Sequence, residues 1–256
     1  MKLTVLGNWS PYPAADGACS GYLIEGDGTK ILLECGNGIV GKLHKHCKAW
    51  DLDAVIVSHL HADHCGDLAP LRYAINAGFL YKYRKDKLPV FITGQPSEKL
   101  QPLLKFNDCL RFYYFEDITD TITEYGTIKK QKIKNLQVEF FKVKHSIPAY
   151  AVAVTAMKKR IVYSADTEYI PELESFAFGA DLFLCEASVL EKDMDYARGK
   201  HLVTKQAGEL AKKAEVKKFL PTHFFPEYEI ETIKKEVEEG FGGEVHLPQI
   251  GESYEI

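Results

Sequence analysis

No stretch of this chain carries the run of about eighteen apolar residues that a membrane-crossing helix needs. None of its 6 cysteines (Cys19, Cys35, Cys47, Cys65, Cys109, Cys185) forms a CxxC pair, so no thiolate knuckle or dithiol motif is encoded. Scattered cysteines fit a reduced protein, and the opening Met-Lys-Leu-Thr-Val reads as a strand, not a signal peptide. A cytoplasmic location away from membranes is the expectation. Low-complexity segments and sequence repeats are also missing. There is no excess of positive charge: the net charge is −4. That argues against a surface that coats nucleic acid, while leaving room for one basic groove. The 256 residues, 46% of them hydrophobic, are enough for one large globular core.

Against this plain background stands His59-Leu60-His61-Ala62-Asp63-His64, directly after the apolar run Ala54–Val57. A strand ending there delivers His59 and His61 to one side, because alternate residues of an extended segment share a face. Asp63 and His64 then fall where the backbone turns toward a helix beginning near Asp67. Packing alone does not call for such a cluster, since buried imidazole and carboxylate without partners are expensive. A metal ion supplies the partner, and this donor set suits zinc, manganese or iron.

Three matching donors follow, each at the end of a strand-like run: His145 after Gln137–Lys144, Asp166 after Arg160–Ala165, and His223 after Lys218–Thr222. Sites in open α/β structures gather at the carboxyl ends of strands. Two divalent ions sharing a carboxylate need about six to seven protein ligands. His59, His61 and His145 make one set, Asp63, His64 and His223 the other, and Asp166 the bridge. A water between the ions would lose a proton near neutral pH and act as nucleophile. Cys65 and Cys185 read as small packed hydrophobes, and His44, His46 and His246 lie outside the pattern. Because the donors run from residue 59 to residue 223, one domain over 1–256 is expected to enclose them.

In order and spacing these residues resemble the metallo-β-lactamase fold superfamily. The resemblance implies an α/β, four-layer αββα sandwich with the metals at one edge between two mixed sheets. It also implies that the Trp9–Pro13 loop borders the metal pocket. True β-lactamases lack a bridging aspartate at the place of Asp166. Leu184-Cys185-Glu186-Ala187-Ser188, Lys200-His201-Leu202-Val203-Thr204 and Leu220-Pro221-Thr222-His223-Phe224 resemble motifs of ribonuclease Z. By that resemblance Glu186 orients His201, which contacts the phosphate or protonates the leaving oxygen, and Asp63 counts among the catalytic residues. Homodimers among ribonuclease Z relatives imply a homodimer here. Only 20 residues separate His145 from Asp166, which leaves no room for the arm with which ribonuclease Z grips tRNA. The resemblance is closer to armless members of the ribonuclease Z and cyclic phosphodiesterase branch.

The expected function is therefore a binuclear metallohydrolase, a phosphodiesterase acting on a small molecule or short nucleic acid, with two ions, zinc first. A thioesterase or lactonase on the same metals is the first alternative. A non-catalytic, metal-stabilised binding module is the second.

For the scaffold, Leu3–Leu6, Gly21–Ile24 and Lys30–Glu34 read as an antiparallel set with a hairpin signal at Gly26-Asp27-Gly28. Gly36–Lys48, Leu68–Tyr83, Ser97–Phe106, Lys205–Glu215 and Glu229–Glu239 read as helices. Pro89–Thr93 reads as a short strand. Arg111–Phe115 and Thr127–Lys130 flank an acidic loop, Glu116–Glu124. The basic-aromatic stretch Phe79–Lys87 reads as an amphipathic helix end with a solvated face.

Overall fold

Hydrophobic alternation explains the architecture. In a computed structural model describing residues 1–256, Ile31 and Leu33 face one core and Leu32 the other. Ala54 and Ile56 likewise face the first core, Val55 and Val57 the second. A sheet buried on both faces needs a layer on each side.

The first sheet is built from β1 (Lys2–Gly7), β2 (Gly21–Gly26), β3 (Thr29–Leu33), β4 (Ala54–Ile56), β5 (Leu88–Ile92) and β6 (Leu110–Tyr114). The second contains β7 (Asp120–Thr123), β8 (Gly126–Ile133), β9 (Leu136–Val143), β10 (Ala149–Ala156), β11 (Lys159–Tyr163), β12 (Leu182–Glu186) and β13 (Phe219–Thr222). A last strand, β14 (Ser253–Glu255), returns to pair with β1. The orders are β14-β1-β2-β3-β4-β5-β6 and β13-β12-β11-β10-β9-β8-β7. Both sheets are mixed: β3 to β6 run parallel, as do β11 to β13, and the hairpins are antiparallel. Helices Ile39–Leu43, Leu68–Leu80 and Ser97–Leu104 contribute to the core on the outer face of the first sheet. Helices Pro171–Ala177, Thr204–Lys213 and Ile230–Phe241 contribute to the core around the second sheet. The result is the expected α/β, αββα sandwich.

The Gly26-Asp27-Gly28 signal becomes a two-residue hairpin. Gly26 pairs with Thr29, and Asp27 and Gly28 both take positive φ (46° and 70°), as the turn matched to strand twist requires.

Two expectations need correction. The helix expected over 36–48 shrinks to Ile39–Leu43. Gly36 is needed for close approach: a Cβ there would stand 2.0 Å from the Asp63 carbonyl oxygen. Gly38 turns the chain at φ +89°. The acidic loop expected over 116–124 holds a short helical turn and the edge strand β7, which pairs Thr123 with Gly126. Backbone pairing to β8 supplies the order there, although Ile122 stays exposed.

Helices Thr204–Lys213 and Ile230–Phe241 meet through two glycines. A Cβ on Gly240 would lie 2.0 Å from the Lys205 carbonyl, and one on Gly208 2.3 Å from that of Val237. Gly41, in an exposed helical turn, meets nothing within 4 Å. Gly240→Ala should cost about 1–3 kcal/mol, the usual overpacking range, since backbone has to move. Gly41→Ala should be neutral or stabilise by up to about 1 kcal/mol. Thermal denaturation of both variants checks the contrast; equal melting temperatures would show that the helix pair relaxes freely.

Candidate metal centre

The strand ends carry the donors to one edge between the sheets. After β4 the chain bends at Ser58 and His59 and is extended again at His61, the N-cap position of the single-turn helix Ala62–Cys65. His59 and His61 thus precede the turn, and Asp63 and His64 sit in it. His145 follows β9, Asp166 follows β11, Glu186 closes β12 and His223 follows β13. Three residues here bend their strand ends by left-handed backbone: Glu34 (φ 61°), Ala165 (φ 54°) and His223 (φ 66°). Each such residue costs roughly 1–3 kcal/mol that the surrounding packing must hold.

Two groups of donor atoms result. His61 Nδ1 lies 3.1 Å from His59 Nε2 and 3.1 Å from His145 Nε2. His64 Nε2 lies 3.1 Å from His223 Nε2, and Asp63 Oδ2 is 3.6 and 3.5 Å from these two atoms. Asp166 reaches both groups. Its Oδ2 stands 3.7 Å from His59 Nε2 and 3.2 Å from His223 Nε2, and its Oδ1 stands 3.4 Å from His64 Nε2. All of these residues except His61 are buried or nearly so.

The arrangement fits divalent metal. Ligand atoms bonded to zinc at about 2.0–2.1 Å stand about 3.4 Å apart on a tetrahedral edge, close to the spacings found. Asp166 Oδ1 is buried without a hydrogen-bond partner, which is costly for a carboxylate unless a cation faces it.

Electrostatics divides the imidazoles. Burial and the neighbouring His64 push His59 well below its usual range, and burial with His145 pushes His61 to about 4. Burial opposes charge on His223 too, but Asp166 and Asp63 outweigh it and carry that ring up to about 10. Burial raises the Asp166 carboxyl, yet His223, His64 and His59 overcome it and hold the group well below the carboxylate range. Against its burial, Asp166, Asp63 and Glu34 push His64 up as well; since neutral nitrogens and ionised carboxylates are the forms that bind metal, His64 and His223 would each give up a proton as an ion binds.

An outer layer orients the donors. His145 Nδ1 donates to the Lys200 carbonyl at 2.6 Å, leaving its Nε2 lone pair for the cluster. Ser188 donates to Glu186 and accepts from His223 Nδ1 at 2.6 Å, which fixes that ring likewise. Ser58 Oγ meets His59 Nδ1 at 2.9 Å, and Ser10 donates to Asp63 Oδ2 at 2.8 Å. Glu34, fully buried, accepts the Ser58 amide and stands 3.5 Å from His64 Nδ1. His201 Nδ1 is 3.1 Å from Glu186 Oε2, and Glu186 Oε1 accepts the Thr167 amide at 2.5 Å. Burial lowers His201, but the facing Glu186 more than compensates, so the ring sits above its usual range.

All nine expected residues therefore meet in one place: His59, His61, Asp63, His64, His145, Asp166, Glu186, His201 and His223. Ser10 brings the Trp9–Pro13 loop to the site. Glu34, Ser188 and the Lys200 carbonyl were not anticipated. Only Glu34, an acid closing an apolar strand, left a trace in the sequence. Cys65 and Cys185 pack in the cores, and His246 pairs with Glu252 on the surface. In Phe79–Lys87 the helix ends at Leu80, and Tyr83 stacks on Trp50 while Arg84 caps the Trp50 and Leu52 carbonyls.

Comparison with known proteins agrees with this geometry. The β-lactamase superfamily domain matches residues 29–224, and the chain belongs to that family, in its ribonuclease Z-like branch. It is a metallo-hydrolase of the metallo-β-lactamase fold. The chain is 30% identical to the "Probable metallo-hydrolase YhfI" of Bacillus subtilis strain 168, over 98% of each chain. It is 26% identical to ribonuclease Z of Clostridium acetobutylicum, covering 88% of each. The crystal structure of YhfI superposes with a TM-score of 0.86 at 28% identity, covering 99% of this chain and 98% of that one. Human tRNase Z, short form, gives a TM-score of 0.76 at 21% identity over 100% and 99% of the two chains, a likeness of fold.

One surface carboxylate ties several of these segments together. Glu168 accepts the Gly199 amide at 2.6 Å and pairs with Lys144, so it joins the ends of β9 and β11 to the turn carrying Lys200 and His201. Glu168→Ala should speed hydrogen exchange of the Gly199 amide at least several-fold, because its acceptor is lost. Glu168→Gln should restore most of the protection. Unchanged exchange in the alanine variant would show that the turn holds without the clamp.

Proposed function

We propose that this chain is a binuclear metal-dependent phosphodiesterase for small or flexible phosphodiesters. The carrying observation is the Glu186–His201 pair, 3.1 Å apart, whose His201 lines a cavity together with His223. The thiolate leaving a thioester has less need of such a pair, whereas a departing alkoxide needs a proton.

The reading assigns His59, His61 and His145 to one ion, Asp63, His64 and His223 to the other, and Asp166 to both. Zinc is the first choice for these donors and manganese or iron the next. Bound there, the ions would supply positive charge to the phosphoryl oxygens and make a water nucleophilic near neutral pH. The chain supplies the rest. Glu186, held by Thr167 and Ser188, keeps a proton on His201 Nδ1 and fixes the ring plane. His201 Nε2, without a partner in the protein, faces the leaving oxygen and gives it a proton. Ser10 orients Asp63 as the Lys200 carbonyl orients His145.

Asp166→Ala should lower the content of both ions, since one carboxylate serves both sets; elemental analysis after metal loading reads this. One ion retained in full would break the shared-bridge assignment. His201→Ala should leave metal content unchanged and cut turnover of alkyl phosphodiesters on the order of 10²–10⁴-fold. A nitrophenyl ester, whose leaving group needs little protonation, should suffer less. Loss of metal with the imidazole would make His201 a ligand, and equal effects on both esters would remove its acid role. Precursor tRNA should be a poor substrate beside small diesters, because distant phosphate grips supply binding and rate.

A further inference from the structure

Resting on the phosphodiesterase reading, the cavity above His201 narrows the substrate class. Its volume is ≈ 390 Å³, in the range of about 300–1,000 Å³ typical of small-molecule sites. The walls carry Pro11, Phe225, Tyr196 and Tyr228, and apart from the imidazoles of His201 and His223 the one charged side chain lining it is Asp193. No lysine or arginine lines it. Two neighbouring lysines are turned onto aromatic rings instead: Lys200 Nζ sits 3.5 Å from the centre of Tyr196, and Lys192 Nζ 5.6 Å from that of Tyr228. Asp193 is held in place by the Tyr228 hydroxyl, which donates to its Oδ2 at 2.7 Å.

We infer that this cavity selects phosphodiesters bearing a single negative charge and a flat aromatic substituent, with Asp193 turning away any second anionic group. The one phosphate charge of such a substrate is met at the floor, by the donor cluster and His201. A second phosphate, with the first already facing His201 and His223, would enter a largely apolar recess whose one further charge is a carboxylate, and repulsion across low-dielectric walls is poorly screened. Specificity of this kind works by penalising the wrong partner. The flat substituent is drawn by the rings. Tyr196 is 61% exposed and lies nearly parallel to His201, at 12°. Phe225 and Tyr228 meet edge to face at 5.0 Å. Exposed rings at a cavity mouth stack on any planar group.

The metal-loaded protein tests this with three phosphodiesters sharing one aliphatic leaving group, methanol, so that the base is the only flat ring. The first is the thymidine 5′-ester, the second the same ester with an added 3′-phosphate, and the third a base-free deoxyribose ester. The 3′-phosphate should lower kcat/KM at least 10-fold. Asp193→Asn, which keeps an acceptor for Tyr228, should narrow the gap several-fold. Tyr196→Ala should raise KM for the thymidine ester and abolish its advantage over the base-free ester. Equal rates with and without the 3′-phosphate, or a gap unmoved by Asp193→Asn, would overturn the role of Asp193. No advantage for the thymidine ester would overturn the aromatic part. Failure to cleave any of the three, with metal bound, would strike the phosphodiesterase reading itself.

Discussion

Asp166 is the constraint on which the site depends. It is a buried carboxylate whose two oxygens face five imidazole nitrogens from four different segments. A charge in that position is tolerable only if positive charge or hydrogen bonds surround it. Every strand end at this edge is arranged to provide them: β4 sends His59 and His64, β9 sends His145 and β13 sends His223. The left-handed turns at Ala165 and His223 are consistent with this demand. Strain at strand ends is held by the two sheets, whose buried faces leave those ends little freedom.

Much of the site was legible because metal chemistry is written in residue type and spacing. The HxHxDH run needs no tertiary information to be noticed, and His145, Asp166 and His223 share one local context, the end of an apolar run. The opening hairpin was legible for a similar reason: only a few residue pairs tolerate two positive φ angles in succession. The expected helix over 36–48 failed because a long-range contact decides it. Gly36 is small to let the Asp63 carbonyl approach, and nothing within residues 36–48 reveals that. Strand β7 was hidden likewise, since an acidic segment with one exposed isoleucine is ordered by pairing with β8, not by its own pattern. Ser188 and the Lys200 carbonyl were illegible for a further reason. A serine and a backbone oxygen carry no chemical signature until the fold sets them beside an imidazole.

The outer layer also explains why the fold can hold this cluster in register. Each donor histidine except His61 has its second nitrogen near a defined oxygen, from Ser58, Glu34, Lys200 or Ser188. Those oxygens come from elements far apart in the chain, so the cluster also staples the sandwich. His61 is the exception: it is half-buried and presents Nδ1 to the cluster, with no such oxygen behind it. It is therefore the least constrained ring, set mainly by the extended backbone before Ala62.

Ser188 carries the last consequence. Its hydroxyl donates to Glu186 and accepts from His223, so the carboxylate that orients His201 is joined to a ring proposed to hold metal. His201, Glu186, Ser188 and His223 then form one hydrogen-bonded unit, not two neighbouring pairs. Groups connected in this way do not contribute independently. Removing the Ser188 hydroxyl would disturb the tautomer of His223 and the position of Glu186 together, so its effect would overlap with that of removing His201. In the metal-bearing state the same connection works in reverse. Charge placed beside His223 strengthens its Nδ1 proton as a donor to Ser188, which in turn polarises the hydroxyl toward Glu186. Occupancy of the proposed metal set would thus reach the Glu186–His201 pair through one serine oxygen.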